Sequence, residues 1–259
     1  MTLSINIQNL TMREDTHAPA RRVERVRHEL KRRDLTVLRV TDLSPHVRSI
    51  TLHGADMADF ISASFDDHVK VIWPTPEGAE PVRRDYTPRR FDTTTGELDI
   101  EFTLHGDGPA AAWAAQAQPG QPLMVGGPRG SFIIPLDYDW HLLVGDLSAL
   151  PAIARRLEEL PAGARVTVLA DVAPEDRRAL PSRAQVNLTW VDGTSALLAA
   201  ARALTLPDGE GYAWCAGEAA AMTALRAVLV NEKGVRKDQI RAAAYWKPGA
   251  ADHHGSIED

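Results

Sequence analysis

Arg83-Arg84-Asp85-Tyr86-Thr87-Pro88-Arg89-Arg90 gathers four guanidinium groups around one phenol ring and one hydroxyl. A guanidinium fork pairs bidentately with phosphate, tyrosine offers an apolar face to a flat ring, and threonine adds a short hydrogen-bonding group. The stretch reads as a holder for something flat and anionic; the plainer alternative is a solvated charged turn closed by Pro88. Just downstream, Thr93-Thr94-Thr95-Gly96 supplies a turn, and Leu98, Ile100, Phe102 and Leu104 alternate with Asp99, Glu101 and Thr103. That alternation is a half-buried antiparallel strand, and it places Arg84 to Arg89 on the strand before it.

Upstream, Leu35 to Val40, Val47 to Leu52 and Val69 to Trp73 are short runs rich in valine, isoleucine and threonine, broken by proline, glycine and aspartate. Downstream, Leu123 to Val125 adds a strand, followed by the loop Gly126-Gly127-Pro128-Arg129-Gly130. These short strands predict a small antiparallel barrel of Greek-key type over residues 21–138. From Arg21 to Arg33 the chain is basic, and Val23, Val26 and Leu30 fall at helical spacing, which predicts a short basic helix. Residues 1–20 lack periodicity and read as an N-terminal arm with no assigned role.

After Tyr138 the pattern changes. His141 to Val144 is an apolar strand ending in Gly145 and Asp146, and Ala149 to Leu160 a helix with Pro151 in its first turn. Arg165 to Ala170, Val186 to Val191, Tyr212 to Ala216 and Ile240 to Trp246 read as further strands, with helices over Ser195 to Leu204 and Ala219 to Glu232. Strands alternating with helices predict a three-layer α/β domain over residues 139–259, its sheet mostly parallel and its ligands at the carboxyl ends of the strands.

Composition narrows the function. The chain has 259 residues, 44% hydrophobic and 25% charged, which suits one large or two moderate soluble domains. A net charge of −6 argues against a general nucleic-acid binder, so the local arginine clusters point to small anionic ligands. Cys215 is the only cysteine, which excludes an internal disulfide and a cysteine metal cage and fits a reducing compartment. Its own reading is a small buried hydrophobe. No leader-like segment or run of about twenty apolar residues is evident, so no membrane partner is expected and the location is expected to be cytoplasmic.

Arg84-Asp85-Tyr86-Thr87, extended by Arg89, together with His105-Gly106-Asp107-Gly108-Pro109-Ala110, Trp113, Gly126-Gly127-Pro128-Arg129-Gly130-Ser131 and Ala244-Tyr245-Trp246, closely resembles the siderophore-interacting protein family of ferric-siderophore reductases. The resemblance runs from about Arg21 to Trp246 and implies an FAD-binding barrel followed by an NAD(P)H-binding domain. It implies that Arg84 holds the pyrophosphate, Tyr86 lies against the isoalloxazine, Thr87 reaches its reactive edge and Asp85 shares the segment, with Arg89 a second cationic anchor. His105, Gly106 and Gly108 would let backbone amides approach the phosphates, and the helix opening at Ala110 and Ala111 and carrying Trp113 would present its free amides to them. Trp246 would cover the flavin from the other domain. In the second domain Asp146, Leu147, Ser148 and Ala149 resemble the family's pyridine-nucleotide turn, although members often carry an acidic residue and a threonine at the positions of Leu147 and Ser148. Gly217 and Glu218 form a second such turn.

The donor is left open between a ribose hydroxyl on Asp171, as NADH wants, and a 2′-phosphate on Arg177 or Arg178; the resemblance favours NADPH. A ferric chelate is large and anionic, so Lys70, Arg129 and Lys247 are the candidate substrate cations. His253 and His254 lack a third ligand, and no metal site is expected. The reading is an FAD-dependent NAD(P)H ferric-siderophore reductase, expected to be a monomer, in which electrons pass through FAD and no side chain serves as general acid or base. Two rivals are a reductase serving a ferredoxin or oxygenase partner, which would be a separate chain, and a non-catalytic ferric-siderophore binder.

Overall fold

Leu98, Ile100 and Phe102, the apolar half of the alternating strand, are fully buried. They meet Leu35, Val37, Ile50, Leu52, Val69, Val71, Leu123 and Val125 in one cluster. Burying each such side chain contributes on the order of 1.5–3 kcal/mol, so this cluster holds the first sheet together. The computed structural model describes residues 22–73, 80–104, 108–250 and 255–257; the arm of residues 1–20 and His253 and His254 lie outside the described residues.

The first half contains β1 (Glu24–Arg27), β2 (Arg32–Ser44), β3 (Val47–His53), β4 (Val69–Trp73), β5 (Val82–Tyr86), β6 (Arg90–Asp92), β7 (Glu97–Thr103), helix α1 (Pro109–Gln116), β8 (Pro122–Gly126) and β9 (Gly130–Ile133). Seven strands form an antiparallel sheet in the order β5-β4-β8-β2-β3-β7-β6. The sheet is barrel-like but not closed: β5 and β6 are its two edges, separated by the buried Thr87 and Pro88. Arg84 and Tyr86 thus sit on an edge strand, and β6 intervenes before β7. The basic segment expected to be a helix is instead β1, paired antiparallel with β9 from Glu24↔Ile133 to Arg27↔Gly130. A partner about a hundred residues away leaves no local trace, and three apolar residues at helical spacing did not outweigh it.

The second half contains β10 (Trp140–Asp146), α2 (Leu150–Glu159), β11 (Arg165–Asp171), β12 (Gln185–Val191), α3 (Thr194–Ala203), β13 (Gly211–Glu218), α4 (Ala219–Ala227), β14 (Ile240–Trp246) and the short β15 (Gly255–Ser256). Its sheet order is β12-β11-β10-β13-β14-β15, parallel throughout except for β15. Alternate residues of each strand feed opposite faces: Leu143, Val168 and Trp214 pack with Leu150, Ile153 and Leu157 of α2. Leu142, Leu169 and Cys215 pack with Leu197 of α3 and Met222 and Leu225 of α4. That is a three-layer sandwich. The strand order reverses direction between β10 and β13, and a crevice at the carboxyl ends of those two strands is where such sheets bind ligands.

Buried arginines join the two halves. Arg155 of α2 donates to Ser62 Oγ (2.8 Å), the Ser62 carbonyl (3.0 Å) and the Pro88 carbonyl (2.9 Å). Arg89 clasps Glu158 of α2 with two hydrogen bonds at 2.9 and 2.6 Å. Glu101 receives Arg178, and Asp66 receives Arg241. These partners hold the carboxyl ends of β10 and β13 against β5 and α1.

Candidate active site

A cavity of about 410 Å³ opens at that junction. Its barrel wall is Arg84, Asp85, Tyr86 and Thr87 with Gly108, Ala110 and Ala111 at the start of α1; its far wall is Asp146, Leu147, Ser148, Pro151 and Trp246. Folding thus brings together eleven of the residues expected to bind nucleotides. His105 and Gly106 lie outside the described residues.

The first wall is built for an anion. Among the described residues the Arg84 guanidinium makes one hydrogen bond, to the Arg83 carbonyl at 2.6 Å, and pairs with no carboxylate. Across from it α1 begins at Gly108 without a side-chain cap, so its first N–H groups are free to bind an anion. A Cβ at Gly108 would meet nothing within 4 Å, which leaves open space at that terminus. A guanidinium with no described carboxylate partner, lining the same cavity as uncapped helix amides, has the charge that the pyrophosphate of FAD requires. Beside them the Tyr86 ring is braced from behind by Phe102 (centroids 4.4 Å apart) and Trp73 (6.4 Å). Burial raises its phenol pKa, so it faces a ligand as a neutral ring.

Asp146 organises the second wall. Its Oδ1 accepts from the Ser148 N–H (2.9 Å) and hydroxyl (2.5 Å), and its Oδ2 from the Glu218 N–H (2.9 Å) and the Trp246 indole (2.9 Å). One carboxylate therefore ties the turn after β10, the last residue of β13 and the exposed tryptophan that ends β14. Gly217 is required for this: a Cβ there would lie 2.5 Å from Asp146 Oδ2. Gly145 is required similarly, since its Cβ would lie 2.5 Å from that of Ala149.

Other expected site residues take different places. Arg89 does not line the cavity; it is bound by Glu158 and lies 3.4 Å from Glu101, and these carboxylates outweigh the effect of burial and raise its pKa. Two carboxylates already offset its charge, so it joins domains instead of facing the cavity. Trp113 packs behind the wall, 5.6 Å from Phe102 and 6.0 Å from Trp73. Ala149 is buried under the turn, and the Glu218 carboxylate caps α4 by accepting from Ala221 N–H (2.8 Å). Lys70 pairs with Asp85 at 2.9 Å, while Arg129 and Lys247 are exposed. Lys247 directly follows the cavity residue Trp246. The loop that carries Arg129 is locked from behind: Arg33 donates to the Gly127 carbonyl (3.0 Å), and the Ser131 hydroxyl to Asp67 (2.7 Å).

Asp171 lines the cavity and accepts from the Gly193 N–H at 2.6 Å; burial, with Asp146 and Asp192 nearby, raises its pKa. Arg177 and Arg178 are engaged elsewhere, Arg177 on the Val172 carbonyl (2.9 Å) and Arg178 on Glu101. The cavity also contains Val47, His68, Glu101 and Thr103, to which sequence reasoning gave no site role, and Tyr245, quoted there only within the Ala244 to Trp246 motif. Glu101 sits on the polar face of β7, where Arg89 and, from the second domain, Arg178 pair with it.

Most of the chain is similar to known proteins. Residues 138–249 match the profile of the siderophore-interacting protein family, and residues 36–82 and 72–132 that of the siderophore-interacting FAD-binding domain. An NADPH-dependent ferric-chelate reductase of Escherichia coli is 37% identical over 245 residues, spanning 86% of this chain and 96% of its own. The ferric vibriobactin reductase ViuB of Vibrio cholerae is 33% identical over 253 residues, spanning 88% and 92%. Among solved structures, a siderophore utilization protein from T. fusca superposes with a TM-score of 0.82 at 35% identity, covering 89% of this chain and 98% of that one. A ferredoxin reductase of carbazole 1,9a-dioxygenase shares the fold, with a TM-score of 0.64 at 19% identity.

Proposed function

From its membership of the siderophore-interacting protein family, to which the chain belongs, we propose that this FAD-binding oxidoreductase is a cytoplasmic ferric-siderophore reductase that draws on NADPH, acts as a monomer and releases Fe(II) for assimilation. The observation that carries the reading is the pairing, across one cavity, of a guanidinium without a described carboxylate partner and uncapped helix amides with the crevice at the ends of β10 and β13. The chemistry FAD supplies is the conversion of a two-electron hydride into single electrons for iron.

The protein's own part is binding, orientation and field. Arg84 and the α1 amides neutralise the pyrophosphate, and Tyr86 supports the ring. Asp146, by holding both strand-end turns and Trp246, fixes the seat of the nicotinamide. Lys247 and Arg129 remain as exposed cations for an anionic ferric chelate, whereas the Lys70 charge is offset by Asp85. Hard oxygen ligands hold Fe(II) less strongly than Fe(III), so reduction loosens the chelate. NADPH is supported by the E. coli relative, while Asp171 in the cavity offers an acceptor to a ribose hydroxyl, so both donors belong in the assay. The test is anaerobic: NADPH should bleach the flavin of the purified protein, and a ferric siderophore should restore its colour. A colourless protein that takes up no FAD would remove the basis of the proposal.

A further inference from the structure

His28, Ser131 and Asp67 stand in one hydrogen-bonded line beside the loop that carries Arg129. The His28 ring bonds the Ser131 hydroxyl through Nε2 at 2.7 Å, and that hydroxyl donates to Asp67 Oδ2 at 2.7 Å. The set has the residue types of a nucleophilic triad but not its order. In a triad the histidine stands between serine and carboxylate and takes the serine proton. Here the serine is in the middle, buried, with its proton committed to Asp67, so the line holds structure and attacks nothing.

Counting protons gives the line its direction. Asp67 Oδ2 also receives the Ser62 hydroxyl (2.8 Å) and the Ser64 N–H (3.2 Å), so that oxygen is an acceptor throughout. Ser131 Oγ gives its one proton there and accepts the Ala63 N–H (3.2 Å), which leaves it only a lone pair for His28. Nε2 of His28 is therefore the N–H donor. It carries its proton in the neutral tautomer that this bond selects and in the imidazolium alike, so the hold does not depend on the charge of the ring.

The same residue grips the loop a second time, because the His28 backbone N–H donates to the Arg129 carbonyl at 3.0 Å. The loop borders the cavity: a Cβ on Gly127 would lie 3.9 Å from the carbonyl oxygen of His68, which lines it. Resting on the reading above of Arg129 as a cation for an anionic ferric chelate, we propose that His28 is a positioning residue for Arg129. It fixes the loop at the arginine's own carbonyl and again two residues on, and so makes strand β1 part of the substrate side of the site.

The test reads binding without turnover. Redox-inert gallium(III) tris(catecholate), a trianion, and neutral gallium(III) tris(acetohydroxamate) are titrated in turn into the FAD-loaded full-length protein, with flavin fluorescence reporting Kd. A misplaced cation weakens the trianion alone, whereas a general loosening of the barrel weakens both. His28→Leu and His28→Asn, the second polar but too short to reach Ser131, should each weaken the trianion about threefold to tenfold, the scale of one lost hydrogen bond, and leave the neutral complex unchanged. His28→Gln, whose amide N–H reaches Ser131 Oγ in place of Nε2–H, should return to within about twofold of wild type. In an Arg129→Ala background His28→Leu should add nothing. Unchanged trianion binding in His28→Leu, equal loss for both complexes, His28→Gln no better than His28→Leu, or the same loss with Arg129 already removed overturns the proposal. Wild-type protein that takes up no FAD, or that releases no Fe(II) from ferric tris(catecholate), defeats the functional reading; wild-type turnover with the wrong binding pattern defeats only the role of His28.

Discussion

Arg84 and Arg89 lie five residues apart in one basic run, yet the structure gives them opposite work. Arg84 faces the cavity with one backbone hydrogen bond. A charge-assisted hydrogen bond to a phosphate contributes about 1.5–3 kcal/mol, so Arg84→Ala should weaken FAD binding roughly tenfold to hundredfold. Its removal strands no buried partner, so the stability of the flavin-free protein should stay within about 0.5 kcal/mol of wild type. Arg89 is 13% exposed and holds Glu158, itself 31% exposed, with Glu101 close by. Deleting one member of a fully buried pair costs about 3–5 kcal/mol, and the partial exposure of Glu158 brings the expectation for Arg89→Ala to about 2–4 kcal/mol. The assay pairs FAD titration by flavin fluorescence with urea unfolding of the flavin-free variants. Wild-type FAD affinity in Arg84→Ala would refute the assignment, as would a stability loss matching that of Arg89→Ala.

Three further outcomes follow from the same contacts. Asp146→Ala removes acceptors from Ser148, Glu218 and Trp246; it should raise the KM for the pyridine nucleotide several-fold and, as a lost cap, cost about 0.5–2 kcal/mol in denaturant unfolding. His141 is buried, and that burial, with Arg156 nearby, lowers its pKa from 6.5 to about 4. Between those values the unfolded chain binds the proton and the folded one does not, so stability should fall by roughly 3 kcal/mol from pH 6.5 down to pH 4. His141→Phe should flatten that part of a stability profile measured against pH. Charge reversal at Lys247 should lower kcat/KM for an anionic ferric chelate, with the deficit shrinking at high salt, and should leave NADPH-driven flavin reduction unchanged. A deficit that does not respond to salt would place Lys247 outside substrate capture.

Much of this was readable before folding because the decisive signals are local. The alternation of Leu98, Ile100 and Phe102 with acidic neighbours announced β7, and the apolar run ending at Gly145 and Asp146 announced both β10 and the turn that Asp146 controls. The Arg84 to Thr87 segment reads as a ligand holder from residue types alone, and in the structure it lines the cavity. What escaped is non-local. Strand β1 owes its form to β9, and no periodicity within residues 21–33 encodes that partner. Arg89 carries the same charge as Arg84, and only the approach of α2 makes it a clasp. Glu101 and Tyr245 reach the cavity because two domains meet there. Arg155, polar in a helix whose other face is apolar, is 7% exposed because Ser62 and Pro88 of the first domain receive it.

The most direct test of the account is anaerobic turnover: FAD-loaded protein, NADPH or NADH, a ferric siderophore and a ferrous trap in one cuvette. The account predicts trapped Fe(II) accumulating over many turnovers, in proportion to nucleotide oxidised, and falling with FAD occupancy in Arg84→Ala. Nucleotide oxidation without trapped Fe(II), or Fe(II) formed equally well without bound flavin, would contradict it.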